Sequence, residues 1–258
     1  MINKQTNLIA LSGKMQSGKN LTANIIQYLD WQKYENAPYT SFDDFLITGA
    51  YNNPKYKTSN WQIKAFATKL KQIVSILTGI PVEDLEKQEV KDSVLGEEWN
   101  KYTKEFGLST IRTKHQYTVR QMLQKVGTNA MRDVIHPNVW CNALFSEYPS
   151  SQVIKQLNSK TDGSYGVKQP NWCITDVRFP NELQAVKDRG GTTIRINRSR
   201  IVKYSENISY EFNPILDEEH SSETSLDSAT FDYVINNDSD IPSLIQKVKE
   251  ILIKEKLI

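Results

Sequence analysis

Residues 7–29 read NLIALSGKMQSGKNLTANIIQYL, and this stretch decides the fold. It opens on a short apolar run, residues 7–12, with the character of a buried strand. Gly13-Lys14-Met15-Gln16-Ser17-Gly18-Lys19 then satisfies the GxxxxGK part of the phosphate-loop pattern. Beyond it Leu21, Ile25, Ile26 and Leu29 recur at helical spacing. Strand, glycine loop and helix in that order begin an α/β domain. In that setting the glycines let backbone N–H groups converge on phosphate oxygens, and the helix points its positive end at them. Lys19 supplies a mobile charge for β- and γ-phosphates. The plainer alternative is a glycine turn with no ligand. Ser or Thr ordinarily follows the lysine, where its hydroxyl ligates Mg²⁺. Asn20 stands there, and its carbonyl can ligate the metal or hold one of its waters.

Further along, Trp61 to Leu77 reads as one long helix closed by Gly79 and Pro81, after a loop at 52–60. Polar residues dominate to about residue 117. The stretch from Thr118 to Tyr148 reads as two or three helices, broken near Gly127 and at His136-Pro137. A turn-rich segment, 158–171, precedes a β–α–β signal: WCITDV as strand, PNELQAVKDRG as helix and GTTIRIN as strand. A polar section, about 197–230, reads as an insertion or lid. DYVINN is a last strand and IPSLIQKVKEILI a C-terminal helix. Alternating strands and helices predict a mostly parallel sheet with helices on both faces, in a single domain over 1–258.

Composition narrows the classes. The chain has 258 residues, 38% apolar and 24% charged, enough for a substantial core. Mean hydropathy is −0.54 and no apolar run is long enough to span a membrane, so a membrane role is not expected. The N-terminus lacks the order of a signal peptide. A net charge of +2 is too even for a protein that wraps nucleic acid. Cys141 and Cys173 suit a reducing compartment, so a cytoplasmic protein is expected. Scattered histidines and two distant cysteines make no zinc constellation. Eight of 32 basic residues are arginines, all between Arg112 and Arg200. Arg offers a planar fork of donors, suited to phosphates and carboxylates, that Lys does not.

Two segments stand out as acceptor-like. Arg120, Gln124 and Thr128 are spaced four apart and share a helix face. That set is either a polar solvent face or a site for a phosphate, a base edge and a sugar. Trp140 is either a stacking surface or core. In ITDVRFPNE, Asp176 ends a strand, where open parallel sheets place their ligands. Asp176 there can hold Mg²⁺ or its water, Arg178 can reach phosphate, and Glu182 can orient either Arg178 or an acceptor hydroxyl. The bland alternative makes Asp176 and Arg178 a turn and Glu182 a helix cap.

Taken together, SGKMQSGKN, IKAFATKLKQIVSILTG, VRQMLQKVGTNAMRDVIHPNVW, ITDVRFPNELQAVKDRGG and HSSETSLDSATFDYVINND resemble the bacteriophage deoxynucleoside monophosphate kinases in order, over about residues 7–252. The resemblance implies a P-loop nucleoside monophosphate kinase-like fold, a three-layer α/β architecture with a parallel central sheet and peripheral helices. It implies ATP as phosphoryl donor, Mg²⁺, and a deoxynucleoside monophosphate as acceptor. By it, Gly13 to Asn20 bind the donor, and Asn20 and Asp176 the metal. Arg120, Gln124, Gly127, Thr128, Arg132, Trp140, Asp176, Arg178 and Glu182 bind the acceptor, in a helical region at about 61–148. Lys19, Arg120, Asp176 and Arg178 are the catalytic set. One of Arg195, Arg198 and Arg200 is expected to close over ATP from the lid. Partners would be these small molecules, with a homodimer left open. Two rival readings stand beside this one: a P-loop kinase for another small phosphorylated acceptor, and a nucleotide-binding protein without turnover.

Overall fold

A computed structural model of the protein describes residues 7–33, 41–48, 59–105, 111–149, 154, 169–198 and 224–258. By its internal contacts the chain forms two compact units, residues 1–65 with 147–258, and residues 66–146. The loop expected at 52–60 and the turn-rich segment at 158–171 lie almost wholly outside the described residues, as does most of the section expected as a lid.

The first unit is built on a parallel sheet. Strand β1 (Leu8–Ser12) runs into the glycine loop, and helix α1 (Lys19–Trp31) follows. Strands β2 (Trp61–Lys64), β5 (Asn171–Val177), β6 (Thr192–Asn197) and β7 (Tyr233–Asn236) complete it in the order β2-β5-β1-β6-β7. Every pairing in it is parallel. Counted in chain order, the five strands lie 2-3-1-4-5, with the strand that feeds the glycine loop at the centre. Such a sheet is covered on both faces, so its strands read as near-continuous apolar runs. Leu8, Ile9, Ala10 and Leu11 are all buried accordingly. Ile9 and Leu11 pack with α1 and with helix α8 (Ile241–Lys254), through Ile25, Ile26, Leu244 and Val248. Helix α2 (Phe42–Thr48) adds Phe42 and Phe45, whose rings pack against Tyr28 and Trp31. Helix α7 (Pro180–Lys187) packs on β1 and β6, burying Leu183 and Val186. Gly191 lets it come close, because a Cβ there would meet Val186 at 2.6 Å and Leu8 at 3.0 Å.

Trp61–Lys64 corrects one expectation: it is a strand, not the first turn of a long helix. Four residues of mixed apolar and polar character fit either period. The parallel ladder to Asn171–Ile174 settles the matter, with Trp61 buried and its carbonyl accepting from Gln27 Nε2 at 2.8 Å. The helix begins at Ala67 instead.

The second unit gathers α3 (Ala67–Thr78), α4 (Gln88–Asp92), a hairpin of β3 (Lys101–Glu105) and β4 (Ile111–His115), α5 (Val119–Gln124) and α6 (Val139–Phe145). Its small core is Val74, Leu85, Leu95 and Val119, with Leu70, Met122, Leu123 and Val126 against it. Thr118 and Gln121 form a reciprocal capping box at the start of α5, satisfying two of its orphan donors. The break expected near Gly127 is also corrected. The chain continues from α5 as a π-helix, Lys125–Ile135, and stops at His136-Pro137. Gly127 is buried because it passes close to α3: a Cβ on it would lie 2.8 Å from Leu70 Cδ2.

Candidate active site

In the first unit, the loop geometry explains both of its glycines. Gly13 has φ 155° and Gly18 has φ 105°, conformations that L side chains rarely adopt. Space forbids a side chain as well. A Cβ on Gly13 would run into the Ile196 carbonyl oxygen, and one on Gly18 would stand 2.5 Å from Asn237 Nδ2. Gly18 is the N-cap of α1, and no acidic residue sits in the helix's first turn. The positive end of α1 is therefore uncompensated by its own first turn, which suits an anion. Lys19 folds over the loop, donating from Nζ to the carbonyls of Gly13 at 2.7 Å and Lys14 at 2.8 Å. Met15 and Gln16 are exposed on the loop, and Ser17 is buried. Asn20 is exposed on the first turn of α1.

Beside the loop lies the end of β5. Val177 pairs with Ser12, so Asp176 sits at the level where β1 passes into the loop. Asp176 is half-buried and Arg178 exposed. Glu182 is buried, and its Oε2 accepts from the backbone N–H groups of Arg178 at 2.8 Å and Phe179 at 3.1 Å. Those two contacts make it the cap of α7 and a brace for the turn that carries Arg178. Among the described residues, no group of three or more His, Cys, Asp or Glu assembles to hold a metal alone. Mg²⁺ is commonly held by one or two carboxylates together with phosphates and waters. One strand-end carboxylate and one exposed amide, flanking a phosphate loop, fit that kind of ion.

Sequence reasoning misses two neighbours of the loop, Asp227 and Asn237, and misplaces a third, Arg195. Arg195 lies within β6, not in a lid, and donates from Nη1 to Ser12 Oγ at 3.1 Å and from Nη2 to Asp227 at 2.7 Å. Asp227 also faces Lys14 at 3.8 Å. Arg198 is exposed just past β6, and Arg200 lies outside the described residues. Asn237, just past β7, donates from Nδ2 to the Ser17 carbonyl at 2.9 Å. The two asparagines that close DYVINN are the available signal, because strand ends are where ligands gather in such sheets.

The second unit carries the acceptor-like residues. Arg120, half-buried on α5, directs both Nε and Nη2 to Asp92 Oδ1 on α4. Asp92 also accepts from Gln88 at 2.9 Å. The Arg120 guanidinium, then the Gln88 amide, hold the Asp92 carboxyl below the usual carboxylate range. Gln124 is exposed, while Thr128 and Arg132 are half-buried. The winding changes from α to π at Lys125, so the regular helix face drawn through Arg120, Gln124 and Thr128 ends at Gln124. Trp140 is 5% exposed and donates from its indole N–H to the Gly127 carbonyl at 2.9 Å. It is buried within this unit.

A five-stranded parallel sheet in 2-3-1-4-5 order, with a glycine loop running from its central strand into a helix, defines an α/β protein with a P-loop kinase-like fold. The chain belongs to the deoxynucleotide monophosphate kinase family, whose model matches residues 59–248. The matched span takes in both acceptor-like segments; the phosphate loop precedes it. A curated relative from Acanthamoeba polyphaga mimivirus, named "Putative deoxynucleotide monophosphate kinase", is 28% identical over 141 residues. That match covers 51% of this chain and 59% of the relative's length.

Proposed function

We propose that the protein transfers the γ-phosphoryl group of ATP to a deoxynucleoside monophosphate, releasing ADP and a deoxynucleoside diphosphate. The observation that carries this reading is the loop from Gly13 to Lys19, where two glycines are required by both dihedral and space, in a chain of this kinase family. An oxygen of the acceptor phosphate attacks the γ-phosphorus, and the bond to the β–γ bridging oxygen breaks. Little covalent chemistry is asked of the protein; placement and charge do the catalysis.

Loop amides and the end of α1 bind the donor phosphates. Lys19 exchanges its two carbonyl partners for phosphate oxygens as the nucleotide enters. Asp176 and Asn20 hold Mg²⁺ or its waters, and the ion when bound offsets charge on the donor phosphates. Arg178, braced through Glu182, offers a fork to phosphate. Arg120 and Arg132 contact the acceptor phosphate, Gln124 the base and Thr128 the sugar, while Trp140 and Gly127 support that segment from behind. The enzyme works in a cytoplasm, the host's if it is phage-encoded, on small molecules and without nucleic acid or membrane. Its two cysteines, both free and buried, suit such a reducing setting. Among the described residues, no helix is long and apolar enough to cross a membrane.

The test is direct. Incubation with ATP, Mg²⁺ and each deoxynucleoside monophosphate, followed by separation of nucleotides, should yield a diphosphate from at least one. ATP binding without product in a single turnover would favour the non-catalytic reading that Asn20 prompts.

A further inference from the structure

Asn237 is buried, with 8% of its surface exposed, and it lies 220 residues from its partner Ser17. Its own backbone N–H is already used, donating to the Asn197 carbonyl at 2.7 Å and tying the end of β7 to β6. The side chain is therefore not needed to close the sheet. It points instead at the phosphate loop, where Nδ2 donates to the Ser17 carbonyl at 2.9 Å and stands 2.5 Å from where a Gly18 Cβ would lie.

The peptide joining Ser17 to Gly18 is planar and trans, so its C=O and N–H point in opposite directions. Holding the carbonyl on Asn237 turns the Gly18 N–H away from Asn237. That N–H is one of the donors at the start of α1. A donor held in place before the ligand arrives costs no reorganisation when charge must be stabilised. We propose that Asn237 is a positioning residue of the phosphate loop, orienting the Ser17–Gly18 peptide so that the Gly18 N–H is presented to the donor phosphates. This role rests on the reading above that the loop binds ATP.

The experiment compares the full-length protein with Asn237→Leu, which keeps the branched shape without the donor, and with Asn237→Ala. Equilibrium binding of ATP and of each deoxynucleoside monophosphate is measured by calorimetry, alongside a thermal melt. The expected result is a loss of ATP affinity of about tenfold, the scale of one buried hydrogen bond to the loop. Monophosphate affinity should stay within about twofold, since the bonds that Asn237 makes run to Ser17 and Asn197 and not to the acceptor-like residues. Unchanged ATP affinity in either folded variant overturns the proposal. So does an equal weakening of both ligands, or loss of the cooperative melt in both variants, since each marks a structural role. Failure of the parent protein to bind ATP overturns the donor-site reading itself, a result distinct from parent binding with indifferent variants.

Discussion

Arg120 places Nε at 3.0 Å and Nη2 at 2.8 Å from a single carboxylate oxygen of Asp92, joining α5 to α4 within the second unit. Both side chains are partly exposed, 39% and 54%, so the pair is screened by solvent and matters more for aim than for stability. If Arg120 also serves the acceptor phosphate, Arg120→Lys should cost at least about tenfold in acceptor affinity or turnover, because lysine loses the fork. Asp92→Asn should leave the fold intact and cost less, since the guanidinium remains. Equal kinetic losses in the two variants would make the arginine a structural partner only. The Asp92 carboxyl is held low in the folded state, so its stabilisation is present above the ordinary carboxylate range and lost as pH falls through the depressed value. Any difference in melting midpoint between parent and Asp92→Asn should therefore persist at neutral pH and close below about pH 4.

Lys19 is the sharpest single test of the donor site. Its ammonium spans the carbonyls of Gly13 and Lys14, so it already sits over the loop that ATP would enter. Lys19→Ala should fold with an unchanged far-ultraviolet circular dichroism spectrum and lose at least about a hundredfold in turnover, the scale of removing one preorganised electrostatic stabiliser. Steady-state kinetics at saturating acceptor will measure it.

Arg178 and Arg189 form a matched pair. Arg178 leaves the end of β5 on a turn held by Glu182, exposed and close in sequence to Asp176. Arg189 closes α7, donating from Nη1 to the Ala185 carbonyl at 2.8 Å. A lysine can serve a helix C-terminus as well as an arginine can. Arg189→Lys should thus be nearly silent, while Arg178→Lys should lose at least about tenfold in turnover. Parallel behaviour of the two variants would demote Arg178 to a surface cation.

Local signals determine what is legible in the sequence. β1, the glycine loop and α1 are adjacent in the chain, and each carries its own pattern; so do β5, α7, β6, β7 and α8. β2 is not legible, because four residues have no decisive period and only the distant ladder to β5 makes them a strand. The β3–β4 hairpin and the π winding after Gln124 are equally silent, the first lying in a polar stretch and the second in a good helical pattern. The site divides the same way. Gly13 to Asn20 announce themselves, whereas the bond from Asn237 to Ser17 joins opposite ends of the chain. Arg195 is read two ways, inside the strand GTTIRIN and, with Arg198 and Arg200, entering a lid; the parallel ladder to β7 decides for the strand, which runs on to Asn197.

Trp140 supports the π segment that is proposed to bind the acceptor. A π-helix is rare beyond a single turn, and eleven residues of it need support from outside the helix. The indole N–H of Trp140, buried on α6, supplies one such support by bonding to the Gly127 carbonyl near the start of the segment. Trp140→Phe keeps an aromatic ring of smaller size and removes that donor. The lost bond should cost about 1 kcal/mol of stability, rising towards about 3 kcal/mol if the carbonyl is left without a replacement. Part of any loss comes from the smaller ring, and Trp140→Leu, with neither ring nor donor, will bound that share. Urea unfolding gives the stability change. Because the π segment carries Thr128 and Arg132, the kinetic effect should fall on the acceptor: KM for the monophosphate should rise while KM for ATP holds. A stability loss with both KM values unchanged would make Trp140 a core residue alone, and would detach the π segment from acceptor binding.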